Sequence, residues 1–373
     1  MHKIRIGITG QAGFIGSHLY NYLGIFNEKY ERIPFKDDFY DNEADLINFV
    51  KQCDVVVHLA ALNRHNNPDE IYTKNIELIT KLIINFEESK NKPHILFSSS
   101  TQESLDNIYG KSKKEGREIL LKWCRKNGVN YTGMIIPNVY GTFGRPFYNS
   151  VVSTFSYQIT HDQIPRIDVD NNLKLIYVNN LVEHIRKIID NKIYSDGYEI
   201  KHDFESKVTE LLEKLYYFNQ SYIIENIVPK FNSIHDINLF NTFRSYLEYN
   251  KRLRKIGKRE DNRGYLTEIS KSKTEGQTFF SLTKPGVIRG NHFHLRKIER
   301  FCVIKGEAII RLRRIGTDKI IEYKVDGNDP SFIDIPIWHT HNIENTGKSE
   351  LLTLFWTNEI FNANDADTYF EEV

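Results

Sequence analysis

The sequence has few cysteines, no surplus of charge and no long apolar run. Its three cysteines, Cys53, Cys124 and Cys302, form no Cys-x-x-Cys pair, which favours free thiols in a reducing compartment over a disulfide framework. Lysine and arginine number 50 against 49 aspartates and glutamates, so no basic surface for nucleic acid is indicated. No stretch approaches the ~20 apolar residues that span a bilayer, and residues 1–5 lead into a strand pattern rather than a signal peptide. We therefore expect a soluble, cytoplasmic protein that binds neither nucleic acid nor a membrane.

Two patterns of secondary structure follow one another along the 373 residues. In the first half, buried strand patterns such as Ile4–Thr9 and Val55–Ala61 alternate with helical patterns, which predicts a Rossmann-type, doubly wound parallel α/β sheet. Residues 205–250 have helical spacing and read either as a helical cap or as the last helices of that domain. Later, short strand patterns separated by glycine, proline and asparagine predict an all-β sandwich or small barrel. The predicted division is a first domain over 1–250, a linker over 251–260 and a second domain over 261–373.

A glycine-rich turn follows the first predicted strand and opens a helix. Glycines at these positions allow a tight turn and a close approach of backbone amides to a pyrophosphate, which the N-terminus of the helix then binds. The turn therefore predicts a dinucleotide site, whose expected cofactor contacts are Gly10, Gly13, Phe14, Ile15 and Gly16.

The residues after the second predicted strand indicate which dinucleotide is bound. An NAD enzyme usually places an acidic residue about 20 positions after the glycine turn, where it binds the ribose 2′-hydroxyl. Arg32 and Lys36 occupy this region, and cations suit a 2′-phosphate, so we predict NADPH. Asp37 and Asp38 follow directly and leave NADH as the alternative.

A tyrosine and a lysine one helical turn apart form the candidate catalytic pair. Tyr109 and Lys113 are at i and i+4 and share a helix face. A phenol can donate a proton to a carbonyl oxygen that receives hydride, and a nearby ammonium can lower the phenol pKa and bind the nicotinamide ribose. A serine-rich strand end, Ser98–Ser100, can supply a hydroxyl to the same oxygen.

These features together resemble the extended short-chain dehydrogenases/reductases, which include sugar-nucleotide epimerases, dehydratases and reductases. Further matches are Leu59-Ala60-Ala61 and Pro137–Gly141. The resemblance implies that Ser100 is the catalytic hydroxyl, with Ser99 as the alternative, and that Asn138 lies beside the substrate. It also implies that Leu59, Ala60 and Ala61 contact the cofactor. Only eight residues separate Ser100 from Tyr109, which predicts a more open substrate cleft than is usual in that group.

A histidine cluster marks the second half of the chain. His292 and His294 are two residues apart on a predicted strand, so their side chains point to the same face. Glu299 can return from the next strand as a carboxylate ligand, and either His341 or His339 can add a third imidazole. Three histidines and a glutamate suit a divalent transition metal, for which we predict Zn²⁺.

The same stretch closely resembles the first cupin motif. Gly286, His292-x-His294, Glu299 and Gly306 have its spacing, whereas the second motif lacks its glycine. The stretches 261–268 and 288–293 also resemble the 4-keto-6-deoxysugar 3,5-epimerases and the sugar 3,4-ketoisomerases. In those epimerases the histidine that matches His292 is a general base, but one nitrogen cannot both bind a metal and abstract a proton. We assign His292, His294, Glu299 and His341 as ligands and expect Arg289 to contact the substrate.

Over essentially its whole length the chain resembles the CapF-type capsular polysaccharide synthesis enzymes. The resemblance implies a bifunctional enzyme acting on UDP-2-acetamido-2,6-dideoxy-4-hexulose. The cupin domain would epimerise C3, and the reductase domain would then reduce the C4 ketone with NADPH. The implied product is a UDP-N-acetyl-6-deoxy-L-talosamine, on the way to UDP-N-acetyl-L-fucosamine. The resemblance also implies a homodimer or a larger homo-oligomer.

Two alternatives remain at this point. A 3,4-ketoisomerase acting on another nucleotide deoxysugar would keep both folds. A non-catalytic sensor of NADP(H) and sugar would keep the binding sites, but it would not need the proton donor Tyr109 or its partner Lys113.

Overall fold

The computed structural model describes residues 3–256, 259–261, 264–266, 271–272, 276–359 and 362–373, and only the backbone of 259–261, 264–266 and 271–272. Half of the sequence stretch 261–268, residues 262, 263, 267 and 268, therefore lies outside the described residues. Within the described ranges, no helix has the length and apolar character needed to cross a membrane.

The chain packs as two compact units. The first consists of residues through Tyr140 together with Gly144–Val151 and Asn171–Lys207, and the second of Gly141–Phe143, Val152–Asp170 and the described residues from Val208 onward. The helices, in chain order, are α1 Phe14–Gly24, α2 Glu43–Gln52, α3 Pro68–Ser89, α4 Ile108–Asn127, α5 Val151–Thr160, α6 Val178–Asp190, α7 Val208–Phe218 and α8 Ile234–Ser245.

The first unit is built on a six-stranded parallel sheet of order β2-β1-β3-β4-β5-β8, beside a small sheet of order β6-β7-β9. Its strands are β1 Ile4–Thr9, β2 Tyr30–Ile33, β3 Val55–His58, β4 His94–Ser100, β5 Tyr131–Ile136, β6 Asn138–Tyr140, β7 Asn172–Tyr177, β8 Ser195–Glu199 and β9 Phe204–Lys207. The strand order reverses between β1 and β3. In open α/β sheets the crevice beyond the carboxyl ends at such a reversal is where ligands bind.

Apolar packing between this sheet and its helices fixes the position of the crevice. Every residue of β3 is buried, as expected for a central parallel strand covered by helices. The core beside it includes Phe49, Leu82, Phe97 and Leu120, each no more than 2% exposed.

The second unit contains two five-stranded antiparallel sheets, with orders β11-β20-β17-β22-β15 and β19-β18-β21-β16-β23. Its strands are β10 Ile227–Val228, β11 Leu253–Lys255, β12 Arg259–Asp261, β13 Gly264–Leu266, β14 Lys271–Ser272, β15 Gln277–Thr283, β16 Ile288–Phe293, β17 Glu299–Lys305, β18 Glu307–Arg314, β19 Ile320–Asp326, β20 Ser331–Ile335, β21 His339–Asn345, β22 Leu351–Thr357 and β23 Tyr369–Phe370. Side chains of both sheets, among them Phe301, Ile310 and Ile333, form one apolar core.

The predicted fold, a Rossmann-type parallel α/β sheet followed by an all-β domain, is confirmed. Helices α7 and α8, and all of α5 except Val151, group with the β sheets, so the two units alternate along the chain up to Lys207. The predicted division into a domain over 1–250, a linker over 251–260 and a domain over 261–373 stays a prediction.

Candidate functional sites

The glycine turn lies at the carboxyl end of β1, beside the reversal of strand order. Gly10 has φ +69°, and a Cβ there would lie 2.8 Å from the backbone nitrogen of Ala60. A Cβ on Gly16 would collide with the carbonyl oxygen of Gly10. Both positions therefore require glycine, for the left-handed backbone at Gly10 and for the close approach of helix to turn at Gly16.

The N-terminus of α1 is free to receive an anion. Gly13 is the N-cap residue, and no side chain in the described part of the chain caps the helix there. The first amides of α1, at Phe14 and Ile15, have no acceptor within the helix and suit the phosphates of a dinucleotide. The residues present thus fit the predicted cofactor.

The loop after β3 forms the other side of the crevice. The Leu59 amide donates to the Thr9 carbonyl at 3.2 Å, and the Ala60 amide lies 3.4 Å from the Thr9 hydroxyl oxygen. Leu59 and Ala60 are thereby held against the glycine turn, and Ala61 follows them. The structure brings these predicted cofactor residues together.

The two cations predicted to bind a 2′-phosphate occupy different places. Lys36 is exposed just beyond the end of β2, as expected for a ribose contact. The Arg32 guanidinium instead lies 4.4 Å from the centre of the Tyr20 ring and donates to the Tyr20 carbonyl at 3.2 Å. The structure therefore does not bring Arg32 to the strand end where Lys36 lies.

The serine strand and the start of α4 assemble the candidate catalytic group. Lys113 is 4% exposed, and its Nζ lies 3.3 Å from the Ser98 hydroxyl and 5.8 Å from the centre of the Tyr109 ring. Ser98 and Ser100 point to the same face of β4 because side chains alternate along a strand. Ser99 instead donates to Glu103, whose carboxylate also binds Arg117. Ser100 therefore lies on the same face of β4 as Ser98, which Lys113 contacts, and Ser99 lies on the opposite face.

The short connection between β4 and α4 depends on a second close approach. A Cβ at Gly110 would collide with the Gln102 carbonyl, so the helix start packs directly on the connection. The Asn107 side chain caps α4 by accepting from the Gly110 amide at 2.7 Å. Eight residues are therefore enough to place Tyr109 beside the strand end.

At neutral pH the Tyr109 phenol carries a proton and the Lys113 side chain is charged. Burial, and then the neighbouring Tyr148, raise the pKa of Tyr109 to about 12, so the phenol keeps its proton at neutral pH. This differs from the predicted lowering of the phenol pKa by Lys113, because burial dominates. Burial lowers the pKa of Lys113 to about 8, against the opposing effect of Glu103. Lys113 is thus still mostly an ammonium at pH 7.

A clamped loop at this site was not predicted from the sequence. Arg64 Nη1 donates to the carbonyls of Phe147, at 3.1 Å, and Tyr148, at 3.0 Å. The Tyr148 hydroxyl donates to Asn63 Oδ1 at 2.8 Å. These bonds hold Tyr148 near Tyr109, whose pKa it raises. The partners are more than 80 residues apart in sequence, so no local spacing signals the contact. The predicted substrate residue Asn138 is exposed at the start of β6, beyond the carboxyl end of β5.

In the second unit, three imidazoles and a carboxylate converge. One ligand atom from each of His292, His294, Glu299 and His341 lies within 4.8 Å of the others, and only His292 is not fully buried. His292 and His341 are paired across β16 and β21, where a bulge at Asn291 shifts the register. A bulge re-aims a side chain, and this one lies directly before His292.

The hydrogen bonds of the imidazoles direct their lone pairs into the cluster. His294 Nδ1 bonds to the Asp367 carbonyl at 2.5 Å, and His341 Nδ1 to the His339 carbonyl at 3.2 Å. A carbonyl only accepts, so both Nδ1 atoms carry the proton and both Nε2 atoms are free to coordinate a metal. Each Nε2 is buried and has no hydrogen bond to any residue that the structure describes, although Glu299 Oε2 lies 2.9 Å from Nε2 of His294 and 3.3 Å from Nε2 of His341.

These buried nitrogen and oxygen atoms direct lone pairs into the cluster, which suits a divalent cation. Burial would raise the pKa of Glu299, but His294 and His341 more than compensate and hold it well below its ordinary range. Burial, and then the other two imidazoles, lower the pKa of His292 to about 4, so this ring is neutral at pH 7. Burial would lower the pKa of His294, but Glu299 more than compensates and raises it, so a metal ion would displace the proton that this pair shares. Zinc binds a carboxylate and neutral imidazoles.

His339 and Arg289 lie apart from this cluster. His339 Nε2 bonds to the Tyr249 hydroxyl at 2.8 Å and Nδ1 to the Ile337 carbonyl at 3.0 Å. Both of its nitrogens are therefore used, and the cluster contains His341 instead. Arg289 donates to the Thr283 hydroxyl at 3.0 Å and remains exposed on β16.

Comparison with known proteins supports the two-part organisation. Residues 6–200 match the model of the NAD dependent epimerase/dehydratase family, and residues 259–369 match the polysaccharide biosynthesis C-terminal domain.

Two relatives extend over the whole chain. A UDP-2-acetamido-2,6-beta-L-arabino-hexul-4-ose reductase from Pseudomonas aeruginosa is 31% identical over 98% of both chains. The crystal structure of the capsular polysaccharide assembling protein CapF from Staphylococcus aureus has 32% identity and a TM-score of 0.63, covering 99% of this chain and 100% of that one. The chain belongs to the CapF-type family. This CapF-type chain is also 26% identical to the S. aureus protein CapI, over 50% of its own length and 69% of that relative.

Proposed function

We propose that this CapF-type chain is a bifunctional sugar-nucleotide enzyme of capsule precursor synthesis. Its first unit reduces a 4-keto sugar nucleotide with NADPH, and its second unit epimerises the carbon next to the ketone. The arrangement of Tyr109, Lys113 and the serine strand beside a dinucleotide turn carries the proposal. The full-length similarity to a protein named as a hexulose reductase supports it.

In the reduction, NADPH supplies a hydride to C4 when it is bound. Tyr109 donates its proton to the C4 oxygen, and Ser100 hydrogen-bonds the same oxygen. The buried Lys113 ammonium, 3.3 Å from the Ser98 hydroxyl, binds the nicotinamide ribose and keeps positive charge beside the reacting oxygen. The glycine turn and the N-terminus of α1 bind the pyrophosphate, and Lys36 binds the 2′-phosphate.

In the second unit, a zinc ion held by His292, His294, Glu299 and His341 would provide positive charge for an enolate. The C4 ketone acidifies the C3–H bond, so a general base of the site can take the C3 proton to leave an enolate, and an acid can return a proton to C3 on the opposite face. Epimerisation comes first, because reduction at C4 removes the acidifying carbonyl. The substrate we propose is UDP-2-acetamido-2,6-dideoxy-4-hexulose, and the product is UDP-N-acetyl-6-deoxy-L-talosamine, a precursor of UDP-N-acetyl-L-fucosamine.

Replacement of the proton donor tests this division of labour. Tyr109→Phe should abolish NADPH oxidation with the 4-keto substrate while C3–H exchange with deuterated solvent continues. Tyr72→Phe is the matched control, since it removes a phenol that contacts Glu115 at the surface, and it should leave both activities intact. Loss of both activities in a folded Tyr109→Phe protein would contradict the proposal. A product isomerised between C3 and C4 would instead indicate a 3,4-ketoisomerase.

A further inference from the structure

The last described segment of the chain runs along the strand that carries His292. Strand β23 pairs with β16, with Phe370 opposite His292 and Tyr369 opposite Phe293. The Glu371 amide extends the pairing by donating to the Asn291 carbonyl at 3.0 Å. We call residues 365–371 the C-terminal strap.

Within the strap, Asp367 is directed inward and is only 5% exposed. Its Oδ1 accepts from the Leu295 amide at 3.1 Å, and its Oδ2 from the amides of Arg296, at 3.0 Å, and Lys297, at 2.9 Å. Its backbone carbonyl accepts from His294 Nδ1 at 2.5 Å. One residue therefore holds both a ligand imidazole and three consecutive amides.

Those three amides belong to the turn that joins two ligands of the cluster. The turn begins after His294 and ends before Glu299, the first residue of β17. Its conformation sets the distance between the imidazole and the carboxylate, whose Nε2 and Oε2 atoms are 2.9 Å apart. Asp367 itself has φ +43°, which aspartate and asparagine tolerate better than most residues.

We propose that Asp367 is a positioning residue of the metal site, which fixes the His294 ring and the turn between His294 and Glu299. The inference rests on the proposed function of the histidine cluster as a metal site. Residues that orient metal ligands in this way typically account for about 10- to 100-fold in metal affinity.

Other bonds of the strap lie farther from the ligands. Lys297 Nζ donates to the Ala366 carbonyl, and the Arg296 guanidinium binds Asp365 at 2.8 Å and Glu359 at 3.0 Å. The Asp365 side chain is 63% exposed and bonds to a side chain rather than to the backbone of the turn. It is therefore a matched control for removing a carboxylate from the strap.

The test measures metal affinity rather than enzyme activity. The full-length wild type, Asp367→Asn and Asp365→Asn are stripped of metal and titrated with Zn²⁺ against a chromophoric chelator. Asparagine keeps the size of Asp367 and its tolerance of a left-handed backbone, but it replaces one accepting oxygen with an NH₂ group. We expect about 10- to 100-fold weaker Zn²⁺ binding for Asp367→Asn and wild-type affinity for Asp365→Asn.

A spectroscopic measurement separates ligand positioning from general stability. With Co²⁺ in place of Zn²⁺, the visible absorption bands of Asp367→Asn should differ from those of the wild type, and those of Asp365→Asn should not. If Asp367→Asn fails to fold, Lys297→Met loosens the strap and keeps the carboxylate, and a smaller loss of Zn²⁺ affinity is expected.

The outcomes distinguish this inference from the proposed function. Wild-type Zn²⁺ affinity and unchanged Co²⁺ bands in Asp367→Asn, with binding lost in His341→Ala, would overturn the role of Asp367 alone. If Asp367→Asn does not fold and only Lys297→Met can be tested, unchanged Zn²⁺ affinity in Lys297→Met would likewise overturn the role of Asp367. Absence of stoichiometric Zn²⁺ binding by the wild type would overturn the metal site and the inference with it.

Discussion

Replacing Lys113 by methionine should stabilise the first unit while it removes reductase activity. Lys113 is 4% exposed, and burial lowers the pKa of its ammonium from the ordinary value of 10.5 to about 8. The difference between these values corresponds to about 3 kcal/mol against the charged, folded state at neutral pH. Methionine removes that cost and also removes the hydrogen bond to Ser98, worth about 1 kcal/mol, so we expect a net gain of about 2 kcal/mol.

The gain should depend on pH in a defined direction. Because the folded-state pKa of Lys113 lies below the unfolded value, the folded wild type binds fewer protons than the unfolded chain between about pH 8 and 10.5. The stability of the wild type therefore rises with pH in that window, and the advantage of Lys113→Met shrinks. The NADPH-dependent reduction by Lys113→Met should be lower by about 100-fold or more at pH 7, where the wild-type Lys113 is still mostly charged, because the cation beside the proton donor is gone.

The stability of the first unit is measured by urea-dependent hydrogen exchange in the absence of cofactor. Mass spectrometry follows the exchange in peptides of α4 and β4. Lys111→Met is the control, since its side chain is 63% exposed and should change stability little. Destabilisation by Lys113→Met at pH 7, or a gain that does not shrink between pH 7 and 9.5, would refute the reasoning.

Three further outcomes follow from the geometry of the two units. Lys36→Ala should raise the KM for NADPH about tenfold relative to NADH, whereas Arg32→Ala should leave that ratio unchanged in steady-state kinetics. Gly10→Ala should abolish NADPH binding in a fluorescence titration, because its Cβ has no room, while Gly128→Ala, with open space around it, should cost only about 1 kcal/mol of strain. Asp334→Asn should lower the free energy of unfolding of the second unit, measured in urea, by about 3–5 kcal/mol, because it leaves the buried Arg300 without its carboxylate partner. The first prediction is wrong if Lys36→Ala and Arg32→Ala change the ratio of KM values equally. The second is wrong if Gly10→Ala binds NADPH, and the third if Asp334→Asn unfolds with the wild-type free energy.

The features that could be predicted from the sequence are those encoded by local spacing. The glycine turn, the Tyr109–Lys113 pair and His292-x-His294 each depend on residues a few positions apart in one strand, turn or helix. Their periodicity reveals which side chains share a face before any tertiary contact is known. The same periodicity predicted the parallel sheet and the later β domain, and both are confirmed.

The remaining features depend on contacts that local spacing does not encode. Asp367 bonds to His294 across 73 residues, and Tyr148 bonds to Asn63 across 85. Strand alternation placed His339 and His341 on one face, but His339 is the first residue of β21 and bonds to Tyr249. Arg32 has the charge expected for a phosphate contact, yet its position within β2 directs it against α1.

Deuterium exchange on the proposed substrate tests the central claim most directly. The purified protein is incubated with UDP-2-acetamido-2,6-dideoxy-4-hexulose in deuterated water, with and without NADPH, and the sugar is followed by NMR. Two separate chemistries on one chain predict deuterium at C3 without NADPH, followed by reduction at C4 when NADPH is added. If the protein causes no deuterium exchange at C3 and oxidises no NADPH, the proposed substrate and both proposed half-reactions are contradicted.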